Sequence, residues 1–203
     1  MNLSRWQALM QAWGFAANEK ALRALQTAYS ETCRHYHSAE HIEACLHQLD
    51  VHATHAEHPR EVELALWFHD AVYHPLSSGN EEKSAAWAAH FLEENGALPE
   101  ERERVRSLIL VTAHDAPACT PDEALLLDLD LSILGADATT YDAYEAAIRR
   151  EYHLVPMPLY RRKRAEVLKG FLNRNPLYLT PSFRAQLEAQ ARINLARAIA
   201  ALA

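Results

Sequence analysis

The stretch Leu64-Ala65-Leu66-Trp67-Phe68-His69-Asp70 has five consecutive apolar residues, followed by an imidazole and a carboxylate. Such a run predicts a helix that is buried nearly all round. Pro59 precedes it at a favourable first helical position, and we expect the helix over Val62–Tyr73. A buried carboxylate is costly without a cation, a donor or water beside it. The His69–Asp70 pair therefore fits a metal site and fits equally a solvent-open pair at a helix end.

Helix signals recur along the whole chain, and no strand pattern competes with them. Ser4 and Gln7 form a capping box ahead of an apolar stripe, and Gly14 follows as a stop signal. Thr120-Pro121 with Glu123 forms a second box, and Gly135 closes the helix that it begins. Further helices are predicted to begin near residues 18, 38, 80 and 99 and to cover about 137–152, 158–173 and 182–202. The sequence predicts an all-α single domain, residues 1–203, of about ten helices.

Composition excludes several protein classes. The 203 residues include five isolated glycines, which excludes the phosphate-binding loops GxGxxG and GxxxxGK[ST]. Three cysteines without CxxC spacing argue against a disulfide framework or a zinc ribbon. No apolar run approaches the roughly 20 residues of a membrane span, and the first residues do not resemble a signal peptide. We expect a cytoplasmic protein with no membrane partner.

The net charge of −7 is unevenly distributed. Residues 1–148 carry −15 and residues 149–203 carry +8. An acidic chain binds nucleic acid polymers poorly, because that binding depends on the release of phosphate counterions. The basic C-terminal part either faces a small phosphorylated ligand or pairs with the acidic part of the same chain. The sequence does not indicate an oligomeric state.

Two further segments hold candidate metal ligands. His37 and His41 are four residues apart, so they share one face if the segment is helical. Asp130 lies between Leu126 and Leu134 at the centre of an apolar helical face, where a carboxylate needs a metal or an arginine beside it. Asp128, on the same helix, is predicted to lie on its polar edge, either solvated or supporting the site.

The ordered set His41, His69-Asp70 and Asp130 resembles the H…HD…D signature of the HD superfamily of metal-dependent phosphohydrolases. The whole chain is also similar to a group of bacterial proteins assigned to that superfamily. The resemblance implies an HD-like helical bundle, with a core over about 30–135 and C-terminal helices 137–203 packed on it. It also implies a hydrolase that cleaves a small phosphate ester, such as a nucleotide, with metal-activated water. The metal ligands would be His41, His69, Asp70 and Asp130.

The resemblance implies further roles. Tyr36–His41 is similar to the Tyr-His-Asn-x-x-His segment of cyclic-nucleotide phosphodiesterases, with Ser38 in place of Asn, which would make His37 a general acid. Asp70 would also contact the attacking water. Glu81 and Glu82 either orient that water or complement a helix N-terminus. The candidates for phosphate binding, each equally suited to a surface salt bridge, are Lys83, Arg149, Arg164 and Arg192.

The metal and its chemistry stay open at this point. Mixed nitrogen and oxygen ligation suits Mn, Fe, Co, Ni, Zn or a loosely held Mg. One or two ions are compatible with the sequence, because His114 could be a ligand of a second metal or a capping residue, while His90 is predicted to be structural. An HD-fold di-iron oxygenase and a non-catalytic protein that binds metal and ligand are the alternative functions.

Overall fold

The computed structural model describes all 203 residues, and every regular element in it is helical. The ten α-helices are α1 (Leu3–Trp13), α2 (Glu19–Ala28), α3 (Ala39–His52), α4 (Pro59–Phe68), α5 (Asn80–Glu94), α6 (Pro99–Leu110), α7 (Pro121–Asp130), α8 (Ala138–Glu151), α9 (Met157–Leu172) and α10 (Pro181–Leu202). Three 3₁₀ helices cover Ala53–His55, Val111–Ala113 and Leu131–Gly135. The prediction of an all-α fold with about ten helices is confirmed.

The chain forms two compact units. The first covers Met1–Leu126 and the second Leu127–Ala203, so the boundary falls inside α7. The expectation that residues 1–203 form one domain stays a prediction. None of the helices has the length and apolar character needed to cross a membrane.

Helix α4 is the centre of the first unit. It packs against α1, α3, α5 and α6, and residues 64–68 are fully buried. Trp67 meets Trp6 of α1 edge to face, with ring centroids 5.3 Å apart. Full burial of a large apolar side chain stabilises a fold by roughly 1.5–3 kcal/mol. The prediction of a helix buried all round is therefore confirmed for this segment.

Helix α4 starts at Pro59 as expected but ends at Phe68, five residues before the predicted end at Tyr73. The main chain beyond the helix is bound by other segments instead of continuing the helical pattern. The side chain of Arg34 donates hydrogen bonds to the carbonyl oxygens of residues 70 and 71. Ser84 Oγ accepts a hydrogen bond from the main-chain N–H of residue 72. The predicted boundary was wrong because these partners lie far away in sequence.

For α1 the sequence predicted the end of the helix correctly and its N-terminal cap wrongly. Asn2, and not Ser4, caps α1, and its Oδ1 accepts the main-chain N–H of Ser4. Gly14 ends that helix with a φ of 74°, a conformation that glycine adopts without strain. The second capping box is present, since Thr120 and Glu123 exchange side-chain and main-chain hydrogen bonds.

The second unit packs α9 and the 3₁₀ helix Leu131–Gly135 against α10. Gly135 permits this approach, since a Cβ built on it would lie 2.5 Å from Leu187 Cβ. Asn194 Nδ2 then donates to the carbonyl oxygens of Leu134 and Ala136. A side chain at position 135 would separate α10 from this turn.

Asp128 does not lie on a polar edge. It is 1% exposed, and its carboxylate accepts hydrogen bonds from the main-chain N–H groups of Leu179 (2.8 Å) and Thr180 (2.7 Å). The hydroxyl of Thr180, the residue ahead of α10, donates a third bond of 2.7 Å. The prediction of a solvated Asp128 was wrong because the periodicity of one helix does not show which element covers its other face. Burial raises the pKa of this carboxyl.

Candidate metal centre

His69 stands at the point where α4 ends. It is 2% exposed, and its Nδ1 lies 3.0 Å from the carbonyl oxygen of Leu66, one turn earlier. A carbonyl oxygen only accepts, so Nδ1 carries the proton and donates it to this bond. Nε2 is then the ring nitrogen that faces His41 and Asp70, and a histidine metal ligand usually donates its other ring N–H in this way. The helix end therefore presents a buried imidazole with a defined tautomer.

His41 and Asp70 bring two more donor atoms to the same point. His41 lies in the first turn of α3 and is 5% exposed. Its Nε2 is 3.3 Å from His69 Nε2 and 3.7 Å from Asp70 Oδ2. Asp70 Oδ2 is 3.2 Å from His69 Nε2. Two nitrogens and one oxygen thus form a compact triangle in the first unit.

The triangle fits three ligands of a single metal ion. With metal–ligand distances of about 2.1 Å and bond angles between about 90° and 110°, neighbouring ligand atoms lie about 3.0–3.4 Å apart. Two sides of the triangle fall in that range, and the third, from His41 to Asp70, is 3.7 Å. Imidazole nitrogen and carboxylate oxygen are also the donors that divalent transition metals accept. The residues present therefore fit the divalent metal that the sequence predicts.

The neighbouring imidazoles keep the Asp70 carboxylate ionised. Its side chain is 16% exposed. Burial raises the pKa of Asp70, but the imidazoles of His69, His37 and His41 oppose this effect and outweigh it, so the pKa lies well below its ordinary value. The carboxylate is ionised at neutral pH, which is the state that ligates a metal.

His37 does not lie on a helical face with His41. It belongs to the turn that precedes α3, so the condition for a shared helical face is not met. The turn nevertheless places its ring 6.2 Å from the ring of His41, and Tyr73 stacks on it at 4.1 Å with an interplanar angle of 25°. The half-buried imidazole is close enough to lower the pKa of Asp70. Proximity to the site is achieved by the turn and not by helical spacing.

Arg34 is a residue of this centre that the sequence did not single out. Its side chain is 1% exposed, and it donates to the carbonyl oxygens of His37, Asp70 and Ala71. A single arginine in a polar segment carries no signal that distinguishes it from a surface cation. Only the convergence of segments that are about 36 residues apart in sequence identifies it.

The candidate residues of α5 lie in its first turn. Glu81 is partly exposed, whereas Glu82 and Lys83 are exposed. Ser84, the next residue, is buried and bonds to the main chain of Val72, two residues beyond Asp70. The N-terminus of α5 is thus attached to the turn that carries Asp70. The proposed roles of Glu81 and Glu82 toward water, and of Lys83 toward phosphate, stay predictions.

Asp130 belongs to the second unit, where it ends α7 and is half-buried. Within that unit its negative charge raises the pKa of the Tyr144 hydroxyl. Burial raises the pKa of Tyr144, Arg164 lowers it, and Glu145 and Asp130 both add to the increase. The assignment of Asp130 as a metal ligand stays a prediction.

The three arginines proposed for phosphate binding all have structural partners in the second unit. Arg149 donates to the carbonyl oxygens of Tyr152 and Val155. Arg164 donates to Glu145 and to the hydroxyl of Tyr144. Arg192 donates to Glu188 and to the carbonyl oxygens of Leu172 and Arg174. These contacts give each guanidinium a stabilising role, and phosphate binding by any of them stays a prediction.

The two histidines considered for a second metal have different settings. His90 is 67% exposed and pairs with Glu94 at 3.5 Å on the surface of α5. His114 ends the 3₁₀ helix Val111–Ala113 in a left-handed conformation, with a φ of 59°. A ligand role for His114 stays a prediction.

A second cluster in the first unit could also hold a metal ion. Glu57, His58 and Asp122 each offer a ligand atom, and these atoms lie within 4.8 Å of one another. The oxygens of Asp122, however, accept the main-chain N–H groups of Glu57 (2.7 Å) and His58 (3.0 Å), just ahead of α4. The positive end of a helix disfavours a cation. Asp122 is therefore best explained as a cap of the helix that leads to His69.

Comparison with family models, with curated proteins and with solved structures finds no match for this chain. The likeness to the HD superfamily therefore depends on the motif residues themselves.

Proposed function

We propose that this chain is a metal-dependent phosphohydrolase that cleaves a small phosphate ester. The observation that carries the proposal is the triangle of His41 Nε2, His69 Nε2 and Asp70 Oδ2, with sides of 3.2–3.7 Å. Asp70 is the ionised member, and His69 has its tautomer fixed by a main-chain carbonyl. A nucleotide is a suitable substrate class.

The residues that would hold the metal are His41, His69 and Asp70, with Asp130 as the proposed fourth ligand. A divalent metal bound there supplies a Lewis acid that lowers the pKa of coordinated water and neutralises charge on phosphorus. Four protein ligands would leave coordination positions open for water and a phosphoryl oxygen. The donor set admits Mn, Fe, Co, Ni, Zn or Mg, as one ion or two.

Asp70 and His37 would orient the attacking water and protonate the leaving oxygen. The Asp70 carboxylate would also accept a hydrogen bond from the attacking water and so orient it. His37 is suited to donate a proton to the leaving oxygen, because it is half-buried and faces an ionised carboxylate. A positioned acid of this kind contributes about 10²–10⁴-fold to turnover. Stacking on Tyr73 holds the imidazole in place.

Metal analysis of the untagged protein is the decisive first measurement. We expect about one or two divalent ions per chain, a strong loss of metal in Asp70→Asn and His69→Ala, and full metal in the control His90→Ala. His90 is a suitable control because its exposed imidazole pairs only with Glu94 in the contacts observed. A wild-type protein that acquires no divalent metal, even on reconstitution, contradicts the proposal.

Activity on a panel of nucleotides and sugar phosphates is the second measurement. We expect release of phosphate that depends on the metal and disappears with a chelator. Metal binding without turnover on the panel would instead favour a ligand-binding protein. Two irons per chain with oxygen consumption would favour the oxygenase alternative.

A further inference from the structure

Arg34 is an almost fully enclosed cation of the first unit. Its side chain is 1% exposed, although the residue lies in an irregular segment between α2 and α3. Its Nε pairs at 3.0 Å with Glu31, whose side chain is 43% exposed. Removal of a guanidinium from water is costly unless its hydrogen-bond donors are satisfied. The position of this cation therefore depends on what the remaining donors contact.

Those donors bind the main chain on both sides of the candidate centre. Nη1 donates to the carbonyl oxygen of Asp70 at 2.6 Å and to that of His37 at 3.1 Å. Nη2 donates to the carbonyl oxygen of Ala71 at 3.1 Å. One planar group thus connects the turn that holds the proposed general acid with the turn that holds the proposed ligand.

The electrostatics of the turn after α4 explain why a cation is needed there. The carbonyl groups of Asp70 and Ala71, which Arg34 binds, lie just beyond the C-terminus of α4, where the partial charge of the helix is negative. Carbonyl groups that point out of a helix end need donors, and a basic side chain supplies them. Arg34 provides both the donors and the positive charge. It thereby offsets the negative partial charge of the helix end.

Two aromatic rings fix the plane of the guanidinium. Its central carbon lies 5.2 Å from the ring of Tyr29 and 5.5 Å from the ring of Tyr73. Tyr73 also stacks on His37, so the guanidinium, the phenol and the imidazole form a continuous contact. Displacement of Arg34 would therefore release both the backbone and the ring of His37.

We propose that Arg34 is a positioning residue, which holds His37 at a fixed distance from the Asp70 carboxylate by binding the main chain of both turns. This inference rests on the proposed function, because it assigns Arg34 a role toward the same metal centre. Lysine cannot perform this role: its single nitrogen lacks the planar array of donors that reaches three carbonyl groups at once.

The test compares Arg34→Lys with a matched control, Arg60→Lys. Arg60 also stacks on an aromatic ring, at 4.5 Å from Trp13, and donates to a carbonyl oxygen, that of Ala12 at 3.2 Å. It pairs with Glu101 and lies in the first turn of α4, at the opposite end of that helix from His69. Both variants keep the charge, so differences between them report geometry. The affinity for Co²⁺, the visible absorption of the Co²⁺ form and the melting temperature of the chelated protein are measured for each.

We expect Arg34→Lys to weaken Co²⁺ binding by about 10–100-fold and to change the Co²⁺ absorption, as does the loss of groups that orient metal ligands. Arg60→Lys should lower the melting temperature while leaving both Co²⁺ readouts unchanged. Arg34→Ala should recover Co²⁺ affinity when millimolar guanidinium is added. This rescue keeps the test informative even if Arg34→Lys folds poorly.

The outcomes separate the two claims. If wild-type protein binds no Co²⁺, the proposed metal centre itself is wrong. If wild-type protein binds Co²⁺ and both lysine variants match it in affinity and absorption, the positioning role of Arg34 is overturned and its contacts are purely structural. Failure of guanidinium to restore Co²⁺ affinity to a folded Arg34→Ala protein also counts against it.

Discussion

Replacement of Asp128 by asparagine should destabilise the protein without removing metal, whereas the same change at Asp130 should do the opposite. The two carboxylates stand two residues apart at the end of α7. Asp128 binds the segment that begins α10, and Asp130 is the proposed ligand. The pair of variants therefore separates a structural carboxylate from a functional one.

The expected magnitude follows from the three hydrogen bonds that Asp128 accepts. An asparagine oxygen can keep the two bonds from Thr180, but its amide nitrogen then faces the main-chain N–H of Leu179, so two donors oppose each other. Loss of a bond to a charged acceptor costs about 1.5–3 kcal/mol. Removal of a charge whose burial raises its pKa offsets part of this cost. We expect a net loss of about 2 kcal/mol, or a fall of about 4–8 °C in Tm for a chain of this length.

Urea unfolding followed by circular dichroism on chelated protein measures the stability, and elemental analysis measures the metal. Asp128→Asn should unfold at lower urea with an unchanged slope, since the surface exposed on unfolding is the same. Asp130→Asn should lose the metal, and in the chelated state it should cost less stability than Asp128→Asn, because Asp130 is half-buried whereas Asp128 is 1% exposed and accepts three hydrogen bonds. Wild-type stability in Asp128→Asn, or loss of metal from that variant with retention in Asp130→Asn, would refute this reasoning.

Three other changes test separate parts of the structure. Glu188 is held ionised: burial raises its pKa, but two main-chain N–H groups and Arg192 outweigh burial and place the pKa below its ordinary value. Its contribution to stability is present at neutral pH and is lost as the pH falls below about 4. The difference in unfolding free energy between wild type and Glu188→Gln should therefore shrink from pH 7 to pH 3. A difference that does not change with pH would contradict this role of Glu188. Gly135→Ala should cost about 1–3 kcal/mol, because the added Cβ would lie 2.5 Å from Leu187 Cβ, and an unchanged melting temperature would show that α10 yields. His37→Ala should retain metal and lower turnover by about 10²–10⁴-fold, whereas loss of metal would make His37 a ligand.

The amino-acid sequence by itself predicted the helices and placed the His69–Asp70 pair at the end of a buried helix. Pro59 marks the start of α4, Gly14 the end of α1, and Thr120 with Glu123 the start of α7. These signals are legible because a helix end is decided by groups within about four residues of it. The apolar run before His69 also predicts burial directly, since burial of a helix follows from its own composition.

The tertiary structure alone decided which groups meet. The bond from Arg34 to the carbonyl oxygen of Asp70 spans 36 residues, and the bond from Thr180 to Asp128 spans 52. The same distant contacts end α4 at Phe68 and bury Asp128, both contrary to the sequence-based predictions. Periodicity shows how residues are arranged around one helix axis, whereas the environment of a side chain depends on segments packed from elsewhere in the chain. For that reason the resemblance of the motifs could imply His41, His69, Asp70 and Asp130 as ligands, but the sequence did not single out Arg34, which binds the main chain of Asp70.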